Sequence, residues 1–352
     1  MSVVFENVTK INSNRVCNHI ISFLNGKKNT SKNTAKAYET DIKQFFLYCK
    51  GKTIEQLEEG DLPVLMSDIY DYRTYLLENK KYTNMSSNRK IKSVRSLYRF
   101  FKGNGYDVNP DAFNIGHLPD DSSAYGILTR EEVFCLASLA LESELYNPYM
   151  KRALILTAFG TSMREDALLN LTYDDIRASS EDPNLFIIEP KFLDKGKKIR
   201  KEIHPDIYSA ILEARERGGR KQSDRIFTID PKGICYMMKR LVKKAGFDSK
   251  RNITFHSLRK AGTEFVNEYT GGDMTAITAQ GDWSSPVIPY KHYIKKPTNL
   301  AGTAAFENID ENVFDQLKHE DLLHLVKSLK NNGVGMRLKK EAKNILNKKC
   351  KI

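Results

Sequence analysis

The sequence predicts a multidomain chain, an all-α N-terminal domain followed by an α+β domain with a small antiparallel sheet. Three observations predict it. The 352 residues suffice for about two domains of ordinary size. Apolar side chains recur at helical spacing through the first hundred residues. Further on, two short β-prone segments flank a Lys-Gly turn. Composition shifts set the boundaries: a helical domain over 1–110, a linker over 111–125, an α+β domain over 126–306, and a helical appendix with a basic tail over 307–352.

In chain order, TSKNTAKAYETDIKQFFLYCK (30–50) offers Thr30, Ser31 and Thr34 as N-caps. Its Tyr38, Ile42, Phe45 and Phe46 repeat at helical spacing, and Gly51 is a stop. DLPVLMSDIYDYRTYLLEN (61–79) repeats the pattern through Leu65, Ile69, Tyr72 and Leu76. The third helix, 86–105, is expected to be capped by Ser86 or Ser87 and ended by Gly103. One of its faces carries Ile91, Val94, Leu97, Tyr98 and Phe101; the other carries Arg89, Lys92, Arg95, Arg99 and Lys102. The linker holds Pro110 and Pro119 and little periodicity. Thr129 and Glu132 form a capping-box pair that opens the second domain, and a helix is expected over 150–160. LFIIEP and KKIRKEIHP read as a hairpin turning at Asp194-Lys195-Gly196, RIFTI as a short strand, and 233–246 as a helix ended by Gly246. From 307 onward an amphipathic segment precedes the basic tail.

Composition excludes several classes. No apolar run approaches the ~18 residues needed to cross a bilayer, and MSVVFENVTK lacks the start of a secretory signal. Cys17, Cys49, Cys135, Cys235 and Cys350 are scattered without CxxC spacing, which argues against a disulfide framework or zinc site and for a reducing cytoplasm. The 56 Lys+Arg against 44 Asp+Glu leave a net charge of +12, which points to a polyanion. Residues 80–102 hold eight basic side chains and no acidic one. A solvated helix face ordinarily mixes both signs, so this bias favours nucleic-acid contact. Lys239, Arg240, Lys243 and Lys244 form a second basic set.

Four segments carry candidate chemistry. GTSMREDALLNLTYDDI places Arg164 after a glycine-containing break, and FLDKGKKIR is a lysine-rich hairpin tip. ITFHSLRKAG sets His256 and Arg259 three residues apart, on one face of a helix. GDWSSPVIPYKHYIK contains Trp283, Tyr290 and Tyr293. Each alone has an ordinary reading as an ion pair, a solvated turn, a cap or a packing group. Their order is informative: arginine, hairpin lysine, HxxR, Gly-x-Trp and tyrosine resemble the catalytic domain of the tyrosine recombinase (phage integrase) family. The stretch 30–102 resembles that family's helical core-binding (SAM-like) domain, through NTAKAY…DIKQFF and SVRSLYRFF followed by Asn109-Pro110. LTREE resembles the opening of the family's catalytic domain.

The resemblance implies roles. Arg164 and Arg259 would grip the scissile phosphate, Lys195 (with Lys197 and Lys198 as substitutes) would protonate the 5′ oxygen, and His256 would exchange a proton nearby. Trp283 falls where the family has histidine or tryptophan, and Tyr293 on the nucleophile, with Tyr290 as an alternative. Two guanidiniums suit this chemistry because they stay charged and donate forked hydrogen bonds to the spreading negative charge. No acidic metal cage is evident, so the expected mechanism needs no metal and no cofactor. The implied partners are double-stranded DNA and further copies of the chain, a tetramer on paired sites, with 307–352 docking on a neighbour or folding back on its own domain. The expected setting is a bacterial or phage-encoded, DNA-associated cytoplasmic protein.

Two departures stand out. The family's acidic residue three positions after its first arginine is Ala167 here, with Glu165 or Asp166 as replacements. The Trp283–Tyr293 spacing is about one residue longer than the family pattern, with Pro286 and Pro289 expected to interrupt any helix between. They leave open a different class, a DNA-binding regulator that keeps the scaffold and no longer cuts.

Overall fold

The computed structural model describes residues 15–121, 125–180, 182, 185–194, 196–294, 317–328 and 333–349. The chain divides into two units, Met1–Ser123 and Ala124–Ile352.

The first unit is helical: α1 (Arg15–Thr30), α2 (Lys32–Lys50), α3 (Met66–Thr74) and α4 (Asn84–Gly103). α2 starts at Ser31, whose hydroxyl accepts the Thr34 N–H, and stops at Gly51, whose φ of 65° only glycine adopts cheaply. α3 runs into a single π turn, Tyr75–Asn79. It begins one residue after Leu65, so Leu65 is 70 % exposed and leaves the buried stripe that spacing assigned to it. α4 starts earlier than expected. Thr83 is its cap, its hydroxyl accepting the Ser86 N–H, so Ser86 and Ser87 lie inside the helix. Phe45, Phe46, Tyr72, Tyr98 and Phe101 fill the core, and the Tyr98 hydroxyl donates to Leu62 O at 2.8 Å. Asp41 is buried among them and accepts from Arg89 (2.6 and 3.0 Å), Lys90 (2.9 Å) and Ser93 (2.7 Å). Those donors hold its carboxyl below the usual carboxylate range although burial pulls the other way.

The second unit opens with α5 (Arg130–Ser143), where Thr129 and Glu132 cap each other reciprocally as expected. Then follow α6 (Pro148–Thr161), α7 (Glu165–Leu169), β1 (Ile176–Ala178), β2 (Phe186–Ile188), β3 (Lys201–Ile203), α8 (Pro205–Arg217), α9 (Pro231–Lys244), α10 (Phe255–Thr270), α11 (Met274–Gln280), α12 (Val287–His292), α13 (His319–Ser328) and α14 (Gly333–Lys349). The strands form one antiparallel sheet in the order β1-β2-β3, with Ile188 opposite Lys201. The hairpin turns where expected: Asp194 and Lys197 exchange both backbone hydrogen bonds. The RIFTI segment does not form a strand. Ile226 and Phe227 are both buried in succession, so the segment lacks two-sided alternation, and only Arg225 bridges, to Thr172. β1, too polar to stand out, supplies the third strand instead. The helix expected over 233–246 begins two residues sooner, with Asp230 as cap and Pro231 in its first turn.

α6 lies at the centre, with Leu154, Ile155 and Ala158 buried. α10 approaches it closely at Gly262, where a Cβ would strike the Phe159 carbonyl. α14 starts against α10 of the same chain: Gly333 is buried there and its N–H donates to Glu268 Oε2 at 3.0 Å. α13 buries no side chain. No helix among the described residues is long and apolar enough to cross a membrane.

Candidate active site

The site is assembled where four segment ends meet. α6 stops at Ser162, held in the left-handed region at φ 49°, and this sharp exit turns Arg164 outward at the start of α7. The Ser162 carbonyl accepts from Arg259 Nη1, and the Gly281 carbonyl beyond α11 accepts from Nη2 at 2.7 Å. Gln280 ties the same elements together, donating to Gly160 O at 2.9 Å and Ser162 Oγ at 3.2 Å. The Arg259 guanidinium is therefore fixed in its plane, 4 % exposed, with its Nε buried and unpartnered. Burial lowers its affinity for a proton, yet from so high a starting point that it stays charged.

His256 lies one turn earlier on α10, between the rings of Tyr125 (5.1 Å between centroids) and Tyr293 (5.4 Å). Burial, and then the positive charges of Arg259 and Lys260, push its imidazole down to about 4, so it is neutral near pH 7. Tyr293 sits just past α12, its ring 4.6 Å from that of Trp283. The Arg259 guanidinium lies 4.9 Å from the Trp283 ring and 5.6 Å from the Tyr293 ring. Arg164, Glu165, Asp166, His256, Arg259 and Tyr293 line one cleft of about 460 Å³. Tyr290, the alternative nucleophile, is 59 % exposed and does not line it.

Other placements differ from expectation. Arg164 takes its carboxylate from Asp194 on the hairpin, at 2.5 Å, rather than from Glu165 or Asp166, and Ala167 is buried. α12 runs through Pro289 instead of breaking there, because a proline in a first turn gives up an N–H that has no helical partner; Pro286 is the cap. Lys195 lies outside the described residues; Lys198 is exposed, and Lys197 Nζ reaches only the Asp282 carbonyl, at 3.4 Å. Sequence reasoning missed Asp194, Ser162, Gln280, Asp282 and Lys201. Lys201 had one local signal: it shares the inward register of β3 with Ile203, where a lysine is out of character.

The basic surfaces are mixed in character. Lys92, Arg99, Lys102, Lys239 and Lys243 are exposed, and Arg95 is half-buried. Arg89 is bound to Asp41, and Arg240 to Glu144 at 2.9 and 2.6 Å.

Fold and cleft together define a two-unit chain whose arginines, histidine and tyrosine face one another. The phage integrase N-terminal SAM-like domain matches residues 20–105, and the phage integrase family matches residues 128–299. The chain belongs to the phage integrase family, the tyrosine recombinases, whose members are DNA strand transferases. Among curated proteins it is 29 % identical over 298 residues to the SPbeta prophage-derived probable integrase/recombinase YopP of Bacillus subtilis (strain 168), covering 83 % of this chain and 82 % of that one. It is 24 % identical over 289 residues to the tyrosine recombinase XerC of Caldanaerobacter subterraneus subsp. tengcongensis, covering 74 % and 78 %. Its fold resembles that of a lambda integrase dimer bound to a COC′ core site, with a TM-score of 0.60, 14 % identity, and coverage of 80 % of this chain and 79 % of that one.

Proposed function

We propose that this chain is a site-specific DNA recombinase that cuts and rejoins duplex DNA through a covalent 3′-phosphotyrosine on Tyr293, serving phage or mobile-element integration or excision. One observation carries the reading: Tyr293, neutral His256, Arg164 and Arg259 line the same cleft. The phenol oxygen of Tyr293 attacks the scissile phosphorus as its proton passes to His256. The bond from phosphorus to the 5′ oxygen breaks, and that oxygen takes a proton from Lys195. Arg164 and Arg259 hold the non-bridging oxygens as their charge grows, and Trp283 adds one neutral N–H. A 5′ hydroxyl of another strand then gives its proton to Lys195 and attacks the phosphotyrosine; the phosphorus–Tyr293 bond breaks, the phenol oxygen takes its proton back from His256, and the phosphodiester is restored. The phosphotyrosine conserves the bond energy, so religation requires no ATP.

The partner is double-stranded DNA, gripped through phosphates by Lys92, Arg95, Arg99 and Lys102 on α4 and by Lys239 and Lys243 on α9. Arg89 and Arg240 add charge from positions fixed by Asp41 and Glu144. Paired sites require a tetramer. The relationship to a prophage-derived probable integrase/recombinase supports the mobile-element role and a bacterial cytoplasmic setting.

The test is DNA carrying the chain's target site and a nick that lets the cleaved end diffuse away. A covalent protein–DNA adduct is expected with the wild type and with Tyr290→Phe, and none with Tyr293→Phe. Tight binding to a verified site without an adduct refutes the reading.

A further inference from the structure

We infer that Lys201 is a positioning residue for strand transfer: its ammonium clamps the turn after α11, and that turn holds Arg259 and Trp283 in place. The inference rests on the reading of the cleft given above. Lys201 projects inward from β3, its side chain 7 % exposed. Its Nζ donates to three oxygens, the Ala279 and Gln280 carbonyls, each at 2.9 Å, and Asp282 Oδ2 at 2.8 Å. An ammonium has three N–H groups, so this one is saturated. Burying it costs free energy that only full pairing offsets, and an apolar side chain would stabilise the fold as well. The sequence nevertheless places a lysine there.

What the clamp holds is a strained piece of backbone. Asp282 adopts φ 54°, a left-handed conformation uncommon for a residue with a Cβ, and its carboxylate is the one Lys201 grips. The turn is closed by the Trp283 N–H donating to Thr278 O at 3.1 Å. Trp283 folds back over Gly281, where any Cβ would run into the indole. Two groups of the cleft depend on this turn: the Gly281 carbonyl fixes Arg259 Nη2, and the Trp283 ring packs on Tyr293. With Lys201 removed, the free end of α11 and the Asp282 carboxylate lose their shared partner, and the guanidinium loses the fixed carbonyl that orients it. Saturation also separates this lysine from Lys195. Lys201 has no N–H left to give a leaving group, so it acts through Arg259 and Trp283.

The experiment uses the full chain with two nicked substrates, one with the natural 5′ oxygen and one with sulfur in its place, a leaving group that needs no proton. Lys201→Met is expected to slow adduct formation by about 100-fold on both, the scale of a misplaced reacting group, with DNA affinity changed by less than about threefold. Lys195→Met is the control, slow on oxygen and restored on sulfur. Trp283 is the chain's single tryptophan, so its fluorescence reads the turn directly. In Lys201→Met its emission is expected to move to longer wavelength and its quenching by acrylamide to rise. Restoration of Lys201→Met by sulfur overturns the inference, because Lys201 would then be the acid; so does cleavage at the wild-type rate or unchanged Trp283 emission. If Lys201→Met lacks the native circular dichroism, Asp282→Asn carries the test, with about a tenfold loss on both substrates and the same emission shift expected. Wild-type protein that forms no adduct on a verified site defeats the strand-transfer reading itself. Wild-type cleavage matched by Lys201→Met defeats only the clamp.

Discussion

Arg259→Lys isolates geometry from charge at the centre of the site. Arg259 has five N–H groups. One on Nη1 goes to Ser162 O and one on Nη2 goes to Gly281 O, which sets the guanidinium plane. Three remain, with the Tyr293 hydroxyl beside them and the Nε–H buried and unpartnered, and the ones facing the cleft are the donors a phosphate would take. Lysine keeps the charge but carries its three N–H groups on one nitrogen. It cannot hold both carbonyls and still span two phosphate oxygens. Its ammonium also lacks the flat face that lies 4.9 Å from Trp283 and 5.6 Å from Tyr293. Loss of one preorganised donor costs about 10²–10³ in rate, roughly 2.7–4 kcal/mol. Binding should barely change, because phosphate affinity follows charge number. The assay is single-turnover adduct formation with saturating protein, alongside Kd at matched salt. A rate loss below about tenfold, or one wholly explained by weaker binding, refutes the assignment of Arg259 to the transition state.

Two further outcomes are expected. The folded chain holds His256 neutral down to about pH 4, whereas the unfolded chain protonates it near 6.5, so the unfolded state binds more protons between these values and stability falls as pH drops through that window. His256→Asn should flatten that part of a urea-unfolding stability curve; an unaltered slope between pH 7 and 5 removes His256 as its cause. Reversing both Arg95 and Arg99 to glutamate should weaken DNA binding and lower the slope of log K against log salt by about 1–2. An unchanged slope takes α4 out of the interface.

How much of this was legible in sequence depended on whether a signal was local. Ser31, Gly51 and the Thr129–Glu132 box announced helix ends because capping acts within four residues. α4 was legible as a stripe, and its five apolar positions are all buried. Asp41 was not: it interrupts the apolar face of α2, and its explanation, Arg89, Lys90 and Ser93, lies at least 48 residues away. α1 falls within the stretch expected to be helical but had no bounds of its own, because glycine, lysine and asparagine dominate its second half and only Val16, Ile20, Phe23 and Leu24 mark its buried stripe.

The cleft divides along the same line. Arg164, His256, Arg259, Trp283 and Tyr293, the set proposed to act on phosphate, stand out as candidates because phosphate chemistry permits few side chains in each role, and their order along the chain is itself a constraint. The groups that hold them obey no such restriction. Ser162 and Gly281 contribute backbone carbonyls, which any residue supplies; what selects them is the left-handed turn at one and the absence of a Cβ at the other. Asp194 pairs with Arg164 where Glu165 or Asp166 was expected to, and nothing in the linear spacing links positions 164 and 194 until the fold brings the hairpin to Arg164. Lys201 is the sharpest case. Read as sequence, it is one of several lysines following a turn; in the fold, it alone among the described hairpin lysines is buried, with every N–H committed. Residue type reveals what touches a substrate, whereas burial and pairing reveal what keeps it there, and only the folded chain expresses those.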